Sequence, residues 1–242
     1  MNLIVEQGNT ATKVAVYEHD ELIETAVCRA SATPGLDALF ERYPLVNGIY
    51  STVRERDEAL ANALSKRLKR FVFFDDRVRL PLEIAYRTPD TLGKDRIAAA
   101  AGAHYLHPGS DVLVIDAGTA ITYEVVEASG RYVGGNISPG LTTRFRALHQ
   151  FTEKLPLVDE AGPVSLIGTG TETAVRAGVV NGIAYEMDGY ISALKEVYPG
   201  LFVFLTGGHS FYFEKRLKSA IFAAINLVLT GLNRILEYNV EN

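Results

Sequence analysis

LIVEQGNTATKVAV at positions 3–16 has a counterpart in LVIDAGTAITYEVV at 113–126. Each runs from an apolar strand through an acid, one residue, a glycine and small polar residues into a second apolar strand. At an offset of 110 residues, Glu6 falls on Asp116, Gly8 on Gly118, Asn9 on Thr119 and Thr12 on Thr122. One acid-x-Gly turn is common. Two, each flanked by strand-forming residues, point to a duplicated unit, and a period this long excludes a solenoid. Each stretch reads as a β-hairpin whose glycine permits a tight turn.

The segments after each hairpin alternate. After the first come a strand at 22–29, a helix at 35–43, a strand at 47–53, a charged helix at 54–70 and a short strand at 71–74. After the second come a strand at 131–138, helices around 141–151 and from Thr171 to about Tyr198, a strand at 201–206, and helical sequence from about 211 to 238. That alternation predicts an α/β fold of two duplicated halves. Turn formers at His107-Pro108-Gly109-Ser110 place the boundary there, giving 1–108 and 109–242.

A length of 242 residues suits two compact halves, and 48% hydrophobic residues supply cores for both. The net charge of −5 leaves no electrostatic footprint for nucleic acid or an anionic membrane. Any phosphate must therefore be held by local devices. The single cysteine, Cys28, forms no internal disulfide and favours a reducing compartment. No signal-peptide pattern or membrane-length apolar run is evident, so the expected location is the cytoplasm.

Taken singly, the chemistry-bearing stretches have plain structural readings. Acids and threonines in a hairpin turn satisfy local backbone groups. As a pair, they read as phosphate-handling turns. Small residues admit phosphate to backbone N–H groups, hydroxyls donate, Lys13 adds charge, and the carboxylates must act through a cation or water. In YRTPDTLGKDRIAAAAGAHYL (86–106), Gly93, Asp95 and Arg96 open an Ala-rich helix, where an acid also simply complements the dipole. Gly-Lys-Asp-Arg lacks the spacing of a P-loop. GGNISPGLTTRFRAL (134–148) reads as a turn into a helix or a substrate-site wall. Thr171 reads as a helix N-cap followed by a small-residue face suited to helix packing. Thr206-Gly207-Gly208 ends a strand where a base or ribose could approach.

Together, EQGNTATK (6–13), YRTPDTLGKDR (86–96), DAGTAIT (116–122), GGNISPGL (134–141), the 171–178 segment, TGG (206–208) and NLVLTGL (226–232) resemble the type III pantothenate kinases, of the acetate and sugar kinase, Hsp70 and actin superfamily. The resemblance implies two ribonuclease-H-like halves with a nucleotide cleft between them. It implies transfer of the ATP γ-phosphate, with Mg²⁺, to pantothenate, the first step towards coenzyme A. By that resemblance Asp95 is the proton acceptor, and Tyr86, Gly93, Lys94, Asp95 and Arg96 line the pantothenate site. Thr171 reaches pantothenate from the second subunit of a homodimer. Glu6, Gln7, Gly8, Asn9, Thr10, Ala11, Thr12, Lys13 and Thr119 serve ATP, and Asp116 holds a monovalent cation, K⁺ or NH₄⁺. The chain departs from the family pattern at Glu6, where aspartate is usual. Its carboxylate reaches roughly 1.5 Å further, about one C–C bond, and is expected to engage Mg²⁺. A kinase of the same fold for a sugar or acetate, and a non-catalytic nucleotide-binding regulator, are the alternatives. The 86–96 segment argues against the first, and the lack of a DNA-binding extension or basic patch against the second.

Overall fold

The computed structural model describes residues 1–29 and 35–240. It is an α/β protein with two sheets, and it divides into two compact units. The first comprises residues 1–108, 130–132 and 226–242. Its elements in chain order are β1 (Asn2–Gln7), β2 (Ala11–Glu18), β3 (Glu21–Arg29), α1 (Leu36–Arg42), β4 (Asn47–Thr52), α2 (Glu58–Arg67), β5 (Arg70–Phe73), β6 (Glu83–Ile84) and α3 (Lys94–Leu106). The sheet order is β3-β2-β1-β4-β5, with β1 antiparallel to β2 and parallel to β4. Leu3, Val5, Val14 and Val16 of the hairpin join Leu60 and Leu64 of α2 in one buried core.

The second unit holds β7 (Val112–Ala117), β8 (Ala120–Val126), most of β9 (Arg131–Pro139), α4 (Leu141–Phe151), α5 (Thr171–Val197), β10 (Phe202–Thr206), α6 (Ser210–Glu214) and β11 (Phe222–Ala223). Its strands run β11-β10-β7-β8-β9. β7 is antiparallel to β8 and parallel to β10, as β1 is to β2 and β4. The core gathers Leu113, Ile115, Ile121 and Tyr123 from the hairpin and Val179, Ile183 and Met187 from α5. The first residues of β9 group with the other unit, where Arg131 and Tyr132 pair with Glu83 and Ile84 of β6.

The chain returns to the first unit in α7 (Leu227–Val240). A division into 1–108 and 109–242 therefore differs from the compact units at the C-terminal end. The reason is the fit of α7 to α3. A Cβ on Gly231 would lie 1.7 Å from the Ala98 carbonyl oxygen, so only glycine allows these backbones to meet. The Ala-rich face of α3 is buried from Ile97 to Ala103.

Three element predictions need correction. The helix expected at 54–70 is confined to Glu58–Arg67. Asp57 caps it by accepting the Leu60 N–H at 3.0 Å, while the Thr52 hydroxyl holds the Arg54 N–H in a preceding turn. The helical run expected from 211 to 238 is broken between α6 and α7. Asp188 there accepts the N–H groups of Lys218 and Ser219, and Phe222–Ala223 pairs with β10. Thr171 is the first helical residue rather than the N-cap. The cap is Gly170, whose N–H and carbonyl both bond the Thr173 hydroxyl at 3.0 and 2.9 Å. Among the described residues, no helix is long and apolar enough to cross a membrane.

Candidate active site

The first hairpin places its acid with an unusual neighbourhood. Glu6 alternates out of a strand that is otherwise buried, and its register partner on β2 is Lys13. The Lys13 ammonium lies 3.8 Å from Glu6 Oε2, an oxygen that is buried and accepts no hydrogen bond. Burial pushes the Glu6 carboxyl above its ordinary range. Lys13 pulls it back down, and the charge of Asp95 adds to the upward push. The fold thus brings the carboxylates of Glu6 and Asp95 within electrostatic reach of each other, although they are far apart in sequence. At the tip, the Gly8 N–H bonds the Ala11 carbonyl at 2.9 Å, and Asn9 and Thr10 are exposed. Gln7 and Thr12 behave otherwise: both side chains are buried. The Gln7 amide oxygen accepts the hydroxyls of Tyr50 and Thr52 at 2.7 and 3.0 Å, so this side chain braces the strand.

Asp95 and Arg96 lie in the first turn of α3. A Cβ on Gly93 would come within 2.5 Å of Asp95 Oδ1, so glycine there clears the space that the carboxylate uses. Asp95 Oδ1 accepts the Arg96 N–H at 2.9 Å. Arg96 is buried, with its guanidinium 5.7 Å from the centre of the Tyr86 ring, which meets Tyr132 edge-on. The expected neighbours Tyr86, Gly93, Asp95 and Arg96 are therefore brought together. Lys94 turns aside. Its ammonium pairs with Asp76 and lies 5.8 Å from the centre of the Phe74 ring. A cation at a helix N-terminus opposes the dipole, and this ion pair offsets that.

The second hairpin is built around its backbone. Gly118 N–H bonds the Ala120 carbonyl at 3.0 Å. Its loop is one residue shorter than the first. Asp116 pairs in register with Thr122, whereas Glu6 pairs with Lys13. The echo of Thr12 on Thr122 is thus out by one: Thr122 occupies the place of Lys13, and the buried Ile121 the place of Thr12. A one-residue slip exchanges the two faces of a strand. The Thr119 carbonyl accepts the Gly140 N–H at 3.0 Å and the Thr143 hydroxyl at 2.7 Å. A Cβ on Gly140 would lie 2.2 Å from the Gly118 oxygen. On the other side Gly207, at φ +93°, lies so close to Asp116 that a Cβ would meet Oδ1 at 2.4 Å. That backbone conformation and that space both require glycine. The His209 N–H bonds the Ala117 carbonyl at 3.0 Å. Thr171 is exposed at the start of α5.

Sequence reasoning missed Gly140 and Thr143 as supports of the tip. The only signal was Gly-Leu-Thr-Thr at a helix start, which any cap produces. It also missed the buried Ser210 hydroxyl after the TGG turn, which has no hydrogen-bond partner.

Comparison with known proteins adds the family. Residues 2–193 match the model for type III pantothenate kinase. A type III pantothenate kinase of Bacteroides fragilis strain YCH46 is 49% identical over 239 residues, covering 99% of this chain and 98% of that protein. This chain belongs to the type III pantothenate kinase family. The family's member in Porphyromonas gingivalis strain W83 is 44% identical over 242 residues, covering 99% of each chain. The fold is also that of more distant proteins. A ROK family glucokinase from Streptomyces griseus, solved with glucose and AMPPNP, has a TM-score of 0.53 at 12% identity, covering 100% of this chain and 99% of its own.

Proposed function

We propose that this member of the type III pantothenate kinases phosphorylates pantothenate with ATP, giving 4′-phosphopantothenate, the first step of coenzyme A biosynthesis. The observation that carries this reading is the family match over nearly the whole chain, together with the Tyr86-Gly93-Asp95-Arg96 cluster that the fold assembles. Phosphoryl transfer depends on alignment and charge neutralisation more than on covalent help from the protein. Asp95 orients the primary hydroxyl of pantothenate and accepts its proton as the oxygen bonds the γ-phosphorus and the bond to the ADP oxygen breaks. Arg96, held beside Tyr86, offers a forked contact to the pantothenate carboxylate. Tyr86 and Gly93 line the site. Lys94 serves it by anchoring the start of α3 to Asp76.

The first hairpin holds ATP with Gly8, Asn9, Thr10, Ala11 and Lys13, and the second with Thr119. Gln7 and Thr12 contribute through their main chain, since both side chains are buried. Mg²⁺ on the ATP phosphates neutralises their charge. The residues fit such an ion: Glu6 presents a buried carboxylate oxygen without a hydrogen bond. Among the described residues, no cluster of three or more His, Cys, Asp or Glu side chains forms a metal cage. An ion held by phosphates, water and one carboxylate is the usual arrangement for Mg²⁺. Asp116 takes a monovalent cation, K⁺ or NH₄⁺. Thr171, exposed at the head of α5, completes the pantothenate site of the other subunit in a homodimer working in the cytoplasm.

The test is a coupled assay of ADP release with ATP, Mg²⁺ and pantothenate, against hexoses and acetate. It is run in turn with K⁺, NH₄⁺ and Na⁺. Release that needs pantothenate, activated by K⁺ or NH₄⁺ but not by Na⁺, is expected. Release that follows a hexose instead would overturn the substrate, and indifference to the cation would overturn the role of Asp116.

A further inference from the structure

Glu186, in the middle of α5, collects three hydrogen-bonding partners that the reaction does not use directly. Its Oε1 accepts the Tyr123 hydroxyl of β8 at 2.7 Å and the Ser138 hydroxyl of β9 at 2.5 Å. Its Oε2 accepts Arg144 Nη2 of α4 at 2.5 Å. The same guanidinium donates from Nε to the Pro139 carbonyl at 2.7 Å. Only about a quarter of the Glu186 and Arg144 side chains is exposed. Burial pushes the carboxyl up, and the hydrogen bonds from Ser138, Arg144 and Tyr123 together hold it below its ordinary range.

What this carboxylate fixes is the corner Ser138-Pro139-Gly140. Ser138 bonds Glu186 directly, Pro139 is held through Arg144, and Gly140 follows with its N–H on the Thr119 carbonyl. Thr143, one residue before Arg144, adds its hydroxyl to the same carbonyl. The corner leaves no slack, because even a methyl group on Gly140 would collide with Gly118 and Thr119. We infer that Glu186 is a positioning residue for the phosphate donor: through Arg144 and the 138–140 corner it sets the Gly118–Thr119 tip that receives ATP. The inference rests on the reading of that tip as a phosphate site. A carboxylate is required because three donors converge on its two oxygens. An amide would turn an N–H donor towards one of them.

Steady-state kinetics of Glu186→Gln test this, with ATP and pantothenate varied separately. KM for ATP should rise about 5- to 30-fold, the upper part of the span of coupling energies between linked sites. KM for pantothenate should stay within about twofold of wild type, a split that a loss of fold stability alone does not produce. Thr143→Val should raise KM for ATP by less. The double variant should fall short of the product of the two effects, since both act on one carbonyl. If Glu186→Gln does not fold, Arg144→Lys replaces it, because a lysine cannot serve Glu186 and Pro139 together. A lowered unfolding midpoint with both KM values unchanged, equal rises in both, or effects that simply multiply would overturn the inference. Wild-type protein without pantothenate-dependent ADP release would remove the underlying reading instead.

Discussion

Across the first hairpin Glu6 faces Lys13; across the second Asp116 faces Thr122. The strands around them are otherwise alike, with the same burial sequence along β1 and β7 and the same pairing partners. The tips differ in support. Nothing lies closer to a Cβ on Gly8 than 3.3 Å, whereas the second tip is enclosed by Gly140 on one side and Gly207 on the other. The first hairpin thus works by charge: an acid, a facing cation and the carboxylate of Asp95 nearby. The second works by close backbone packing. The two turns share their strand geometry and differ in what surrounds them.

The largest effect should fall on the charged side. Asp95→Asn keeps the shape of the side chain and removes the proposed proton acceptor. It should lower kcat by about 10²–10⁴-fold, the usual worth of a general base, while ATP still binds. Turnover near wild type would show that the acid of this neighbourhood is dispensable.

Packing comes next. Gly140→Ala forces a methyl group against the Gly118 and Thr119 carbonyls and should cost about 1–3 kcal/mol of stability, the range for overpacking. Gly8→Ala meets only ordinary or slightly tight contacts and should cost about 1 kcal/mol or less. Urea unfolding of both variants measures the contrast. Equal losses would mean that the second tip is no more confined than the first.

Much of this was readable in the sequence, for definable reasons. Two apolar runs around acid-x-Gly gave both hairpins, because strand composition and turn chemistry are local properties. The start of α3 was readable from Gly93 and the alanines that follow. What escaped depends on partners distant in sequence. The place of α7 is decided by Gly231 against Ala98, and no local pattern records that fit. The one-residue mismatch between Thr12 and Thr122 is a matter of loop length, which similar residue types concealed. Within the candidate site, the residue types near Asp95 were legible. The diversion of Gln7 to Tyr50 and of Lys94 to Asp76 was not, since a side chain's orientation is set by its neighbours in space.

The smallest effect, and the sharpest on the comparison, concerns Glu6 without nucleotide. Its carboxyl is raised above the ordinary 4.5, first by burial, against the pull of Lys13 and with the help of Asp95. The folded chain therefore holds this proton more tightly than the unfolded chain. Stability from Glu6 is present in full below pH 4.5 and is lost as pH rises through the folded value. Glu6→Gln carries no such charge at any pH. It should match wild type near pH 4.5 and gain on it progressively as the pH rises, in urea midpoints measured without Mg²⁺ or ATP. Lys13→Met should widen the gap to Glu6→Gln, because it leaves the buried acid without its facing cation. With Mg²⁺ and ATP present the order should reverse in activity, since the oxygen that burial strains is the one proposed to meet the metal. Identical pH profiles for Glu6→Gln and wild type would mean that the acid of the first hairpin is as well compensated in the free protein as any surface carboxylate. The contrast of charge against packing would then fail at its first term.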